Sequence, residues 1–412
     1  MSASGPTPLA ARRSTRGKPA KPAREGVEGA APDAPTPLQP PPDLSPAYVE
    51  RTAPLPSPAE LKGLRRPLLS CVVPPPPFRH LQAKVRELIA MQGTHPDSDL
   101  IEETIMTCLK LVRDAAPRHE IRVMHAAVKE LRYAFKIYRG HMDRRKVTVF
   151  GSARTPPEAP AYRQAWRFSR EMVKRGYMVI TGAGGGIMEA AQGGAGRENS
   201  FGMNIRLPFE QEPNKYIRGD RKLIYFRYFF TRKLCFVKEA SAIALFPGGF
   251  GTYDEAFETL TLVQTGKAAP VPILFIDSPG GRHWKRFNDY VSGQLAAKRM
   301  INPDDVHLYR ITDDPVWAAD QVVQFYKRYH SSRYVNGRLV LRLNSALPSG
   351  AAAELARRFQ DILEPGGAIK ESGALPEEED QPELARLPRL VLPYDRRHFG
   401  RLRQLIDAIN QV

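Results

Sequence analysis

The sequence predicts an α/β domain at residues 146–330, a parallel sheet covered by helices on both faces. Three observations predict it. Short apolar runs alternate with longer stretches of helical period. The runs stop at glycines. The glycine clusters then open directly into a helix, the strand–loop–helix order of a sheet buried on both sides. In front of this domain the sequence predicts a tail at 1–77 and a helical segment at 78–145, and behind it a small α+β unit at 331–412.

In residues 1–77 Pro, Ala, Ser and Gly dominate. The runs Pro40-Pro41-Pro42 and Pro74-Pro75-Pro76-Pro77 forbid helix and sheet ladder alike, so a disordered tether is expected. In 78–145 the apolar residues recur at helical spacing: Leu81, Val85, Leu88 and Ile89, then Ile101, Ile105, Cys108, Leu109 and Val112, then Val128, Leu131, Phe135 and Tyr138. Arg and Lys fill the other faces, which usually means a solvated surface.

The period then changes. Lys146-Val147-Thr148-Val149-Phe150 reads as a strand ending at Gly151-Ser152. A helix follows through Ala165, Phe168, Met172 and Val173. A second strand at 177–180 runs into Thr181-Gly182-Ala183-Gly184-Gly185-Gly186 and a helix from Ile187. Further strands are expected at 200–205, at 242–246 and, last, at 271–276. The strand at 242–246 leads into Pro247-Gly248-Gly249-Phe250-Gly251-Thr252 and a helix beginning near Thr252. Beyond residue 330, Arg338 to Leu343 alternates like a strand with one exposed face, and 351–363 reads as an amphipathic helix. An acidic loop, Glu377-Glu378-Glu379-Asp380, leads to Arg389-Leu390-Val391-Leu392 and a closing helix at 399–409. This unit shows no chemistry and is assigned to packing, oligomerisation or regulation.

Composition narrows the function. The chain has 412 residues and a formal net charge of +17, which suits an anionic ligand. Cys71, Cys108 and Cys235 are odd in number and far apart, so neither a disulfide framework nor a metal site is expected, and the chemistry is expected to be metal-independent. A reducing cytoplasm fits such cysteines. No apolar run approaches the ~20 residues needed to span a bilayer. No helix-turn-helix, zinc-finger or aromatic RNA-binding signature is present, so nucleic acid is not the expected partner.

The chemistry concentrates at the strand tips. Three glycines after Pro247 let the backbone approach a ligand without Cβ clashes, and the N-terminus of the next helix favours an anion such as phosphate. A tight turn explains the glycines equally well, and Thr252 and Glu255 also fit a capping box. Gly185 and Gly186 form a second glycine tip, and Gly151 and Ser152 a third. Neither tip is a dinucleotide fingerprint, and no ribose-binding acid follows, so NAD is disfavoured. Arg232-Lys233 enters a helix where two cations would neutralise a nucleotide, although basic pairs more often sit on a solvated face.

Pro247-Gly248-Gly249-Phe250-Gly251-Thr252-Tyr253-Asp254-Glu255 resembles the PGGxGTxxE signature of the Lonely Guy family of phosphoribohydrolases, Rossmann-like proteins often labelled lysine decarboxylases. Arg232-Lys233 resembles that family's Arg-Lys pair, and Gly184-Gly185-Gly186-Ile187-Met188-Glu189 its glycine loop. The stretches from Gly202 to Glu210 and from Leu262 to Gly266 are similar to the longer bacterial branch. The resemblance implies hydrolysis of the N-glycosidic bond of a nucleoside 5′-monophosphate, without cofactor, in a homodimer or higher oligomer. It implies that Gly248, Gly249, Gly251 and Thr252 hold the phosphate and that Glu255 faces the ribose. It implies that Arg232 supports the leaving base, with Lys233, Glu210 and Thr261 lining the pocket. A non-catalytic nucleotide or cofactor carrier on the same fold is the alternative.

Overall fold

The computed structural model describes residues 78–207 and 212–412. The predicted tail at 1–77 and the candidate Glu210 lie outside the described residues. Three helices come first: α1 (Phe78–Ala90), α2 (Ser98–Arg113) and α3 (Arg118–Arg139). The C-terminal half of α3 anchors the group, because Ala134 and Tyr138 are fully buried and the Tyr138 ring stacks on Phe201 at 4.5 Å. Its N-terminal half leaves Ile121, Met124 and Val128 exposed.

The Rossmann-like sheet has seven parallel strands in the order β4-β3-β2-β1-β5-β6-β7. They are β1 (Lys146–Phe150), β2 (Met178–Thr181), β3 (Ser200–Ile205), β4 (Leu223–Phe226), β5 (Ala242–Leu245), β6 (Ile273–Ile276) and β7 (Tyr309–Thr312). Between them run α4 (Pro160–Lys174), α5 (Ile187–Ala195), α6 (Phe229–Lys238), α7 (Phe250–Gln264) and α8 (His283–Tyr290), and α9 (Pro315–Phe325) follows β7. Every residue of β1 is buried, as a central strand flanked by helices on both faces requires. Even Lys146 at its start is inside, donating through its ammonium to the carbonyls of His141 and Arg144 at 2.6 and 2.9 Å. The chain winds from β1 to β4 in one direction, then crosses back to place β5 on the other side of β1. The carboxyl ends of β1 and β5 therefore flank the point where strand order reverses, where such sheets bind ligands.

A second sheet, antiparallel in the order β10-β11-β9-β8, is built from β8 (Tyr329–Val335), β9 (Arg338–Leu343), β10 (Lys370–Ser372) and β11 (Arg389–Leu392). It carries α10 (Ala351–Arg358) and α11 (Phe399–Ile409). Leu339, Leu341 and Leu343 join the same apolar core as β3, β4 and β5 of the large sheet. Arg79–Val412 thus make one compact unit.

β9 departs from expectation in one respect. Its alternation is real, but the second face is covered as well: Val340 packs with Val335 and Val391, and Arg342 is only 3% exposed. The cover comes from the acidic segment. Glu378 turns inward and binds Arg342 at 2.5 Å and Arg389 at 3.1 Å. The helix expected at 351–363 stops at Arg358 and finishes as a tight turn, Gln360–Ile362. Among the described residues no helix is long and apolar enough to cross a membrane.

Candidate active site

A cavity of about 620 Å³ opens at the strand-order reversal. It is lined by the β1 tip (Phe150 to Arg154), by Gly182 after β2, and by Met188 on α5. Ile205, Leu207, Phe229 and Arg232 form another side, and the start of α7, from Gly249 to Thr252 with Asp254 and Glu255, completes it.

The glycine loop turns earlier than the sequence predicts. α7 begins at Phe250 with Gly249 as its N-cap, and Thr252 lies inside the first turn, its N–H bonded to the Gly249 carbonyl at 2.9 Å. The capping box is therefore not formed. Glu255 is released from any capping duty and faces the cavity at 7% exposure. Gly248 sits behind the cavity. A Cβ there would fall 2.1 Å from Thr252 Oγ1 and 2.9 Å from the Ser152 backbone nitrogen, so its bare Cα lets the loop after β5 close onto the β1 tip. Ser152 seals that junction. Its N–H donates to the Pro247 carbonyl at 3.2 Å, and its carbonyl accepts from Ile187 at 3.0 Å. Gly186, at φ 61°, passes so near that a Cβ would meet the Ser152 carbonyl at 2.3 Å. Gly185 and Gly186 thus pack behind the cavity wall, while Gly151 and Ser152 line it.

Arg232 and Lys233 part company. The Arg232 guanidinium enters the cavity wall, donating from Nε to the Met203 carbonyl at 2.8 Å, with the Phe236 ring 5.0 Å away. A Cβ on Gly182 would stand 2.4 Å from Arg232 Nη2, so this glycine makes the room the guanidinium occupies. Lys233 does not line the cavity. It bridges from α6 to α7, pairing with Asp254 at 2.7 Å and Glu258 at 2.8 Å, and its ammonium stands 4.0 Å from Glu255 Oε2. Neither residue is on a freely solvated face. Thr261 lies apart: it is exposed on α7 and lines a separate hollow of about 70 Å³ with Phe257, Gln264 and Leu295.

The electrostatics follow from burial. Burial pushes the Glu255 carboxyl up to about 7, against the pull of Lys233 and Arg232. Burial likewise brings Arg232 down to about 10, with Glu255 opposing the shift. The site therefore holds a carboxyl that titrates near neutrality beside a fixed cation. The N-terminal turn of α7, one turn before Glu255, adds partial positive charge to the cavity.

Three contributors escape sequence reasoning. Gly182 stands in a glycine cluster, but nothing in the sequence names the side chain it must admit. Arg154 lines the cavity from the β1 loop with no motif to flag it. Glu130, on α3, accepts the Arg227 N–H at 2.9 Å and the Thr231 hydroxyl at 2.6 Å, so its carboxylate ties the approach to α6 to the helix's first turn. Its partners lie about a hundred residues away, beyond the reach of any local pattern. Among the described residues, no cluster of His, Cys, Asp or Glu could hold a metal ion.

The model of a family described as possible lysine decarboxylase matches residues 185–322. No curated protein matches the chain. Many solved structures are similar to part of it, three of which follow. The X-ray structure of TM1055, a structural-genomics target, shares 23% identity over 44% of this chain and 96% of that one, with a TM-score of 0.31. A molybdenum cofactor binding protein from the phototrophic bacterium Rippkaea orientalis shares 14%, over 44% and 97%, with a TM-score of 0.30. The molybdenum cofactor carrier protein of Chlamydomonas reinhardtii shares 17%, over 44% and 97%, also at 0.30. At such scores none of them bears on ligand or reaction.

Proposed function

Because residues 185–322 carry the domain of the family described as possible lysine decarboxylase, we propose that the cavity it helps to build hydrolyses the N-glycosidic bond of a nucleoside 5′-monophosphate. The observation that carries this reading is Glu255, buried beside Arg232 one turn beyond a helix start that would favour an anion. Thr252 and Glu255 are three residues apart, about 4.5 Å along a helix axis. That is roughly the reach from a 5′-phosphate to the anomeric carbon. The phosphate sits on Gly249, Gly251 and Thr252 at the α7 N-terminus, and Arg154 adds a cation at the rim. Phe229, Leu207 and Met188 offer the base an apolar wall.

As the bond between C1′ and the base nitrogen breaks, its electron pair leaves with the base and positive charge gathers on the ribose. The Glu255 carboxylate stabilises that charge and accepts a proton from the attacking water. Water oxygen becomes the new hydroxyl on C1′, and the proton ends on the departing base. Arg232 donates a hydrogen bond to the base as charge builds there.

Decarboxylation through pyridoxal phosphate does not fit. Such chemistry needs a lysine free to form a Schiff base. No described residue lining the cavity is a lysine, and Lys233 beside it is bound to two carboxylates. The exposed Phe230 and Leu234 on α6 and Phe257 on α7 suit a homo-oligomer, which sedimentation would count.

The test is incubation of the purified protein with AMP, GMP, IMP, CMP and UMP, beside Glu255→Gln. Release of free base and ribose 5-phosphate, lost in the variant, is expected. Nucleotide binding without release from any of the five would mark a carrier instead.

A further inference from the structure

We infer that Glu130, on the N-terminal helix α3, is a positioning residue for Arg232. Its carboxylate ties the approach to α6 to the helix's first turn and so sets where the guanidinium stands in the cavity. The kinetic form of this inference rests on the hydrolase reading above; the geometric form does not.

α6 supplies no cap of its own, since its N-cap residue Tyr228 makes no side-chain bond to the helix. Glu130 does not replace that cap, but its two oxygens clamp the residues on either side of Tyr228. Oε1 accepts from the Arg227 backbone N–H at 2.9 Å, and Oε2 accepts from the Thr231 hydroxyl at 2.6 Å. A negative charge at this end of a helix is favoured by the helix dipole. Thr231 is 1% exposed and directly precedes Arg232. The clamped turn is therefore the one from which the guanidinium projects.

α3 is a firm reference for this grip. Tyr138 and Ala134 are buried in the domain core, and a second attachment holds the other end of α6, where the Lys238 ammonium lies 4.7 Å from the centre of the Phe135 ring. Arg232 has little slack at its far end. It is held between the Met203 carbonyl and the bare Cα of Gly182. A shift of α6 by a few tenths of an ångström is enough to break that fit. The helical segment in front of the nucleotide-binding sheet thus reaches into the chemistry through one carboxylate.

A double-mutant cycle separates positioning from general support. Glu130→Ala is expected to lower kcat on AMP by about 10–100-fold with little change in KM, the effect of a misplaced group at the reacting centre. In an Arg232→Ala background the same substitution should cost nothing further. Glu130→Gln keeps one acceptor and should fall between. A full loss persisting without Arg232, or an unchanged kcat in Glu130→Ala, overturns the inference. If the wild-type protein releases no base, the hydrolase reading fails and the inference is read from coordinates instead. A crystal structure of Glu130→Ala, or of Glu130→Gln should the alanine variant not fold, is expected to show Arg232 Nε released from the Met203 carbonyl. An intact bond there overturns it.

Discussion

Glu255 is held against its own charge. Burial keeps its carboxyl near 7, above the 4.5 of an exposed glutamate, so between these pH values the folded protein retains a proton the unfolded chain has lost. Stability from this group is full below about 4.5 and is lost as pH rises toward 7. Glu255→Gln removes that loss. Its melting temperature is expected to exceed the wild type's at pH 8, by an effect on the order of 1–3 kcal/mol, and to match it at pH 4.5. Scanning calorimetry at the two pH values checks this. Gly182 is the second residue with a sharp consequence. Gly182→Ala sets a methyl where Arg232 Nη2 now lies. The guanidinium must move, so kcat should fall about 10–100-fold while the fold, by circular dichroism, is retained. At this scale the sequence names Glu255, Arg232 and the glycine loop, because motif and chemistry coincide there. It gives Gly182 only as one of a glycine cluster and is silent on Arg154 and Glu130; the part each plays lies in what tertiary folding brings beside it.

At the scale of elements, β1, β3, β9, β11 and α11 fall where apolar period and flanking glycines place them. β4 and β7 do not announce themselves. Leu223–Phe226 is four residues long with Tyr225 turned to solvent, and Tyr309–Thr312 carries Arg310 in its middle. Both are edge strands, with one neighbour each, and edge strands lose the continuous apolar run that marks a central one. The start of α7 is misplaced for another reason. Thr252 and Glu255 have the spacing of a cap, yet the glycines let the helix begin at Phe250, which frees both side chains for the cavity. Gly248→Ala tests that loop. Its Cβ would press on Thr252 and the Ser152 backbone and lift the α7 N-terminus from the β1 tip. Affinity for inorganic phosphate, measured by calorimetry, should fall, with about 1–3 kcal/mol of stability lost to overpacking.

In the whole molecule, the small sheet depends on a buried ionic triad. Burial alone would raise the Glu378 carboxyl, but Arg342 and the Leu375 N–H, with Arg389, hold it below the usual range. Glu378→Ala leaves two arginines buried without a counter-charge and should cost about 3–5 kcal/mol, read as a lower urea midpoint. Because Leu339, Leu341 and Leu343 share the large sheet's core, that loss is expected to appear in a single unfolding transition.

The position of β1 has a further consequence, visible in solvent-hydrogen exchange. This strand is paired on both sides, buried throughout and closed at its tip by Ser152. The backbone amides of Val147, Thr148 and Val149 should therefore exchange only when the molecule opens globally, while those of β4 and β7 are released by local fraying. The cavity hangs from a strand expected to be among the slowest of the protein to exchange. Deuterium that reaches β1 is deuterium that has passed through a state with no site at all.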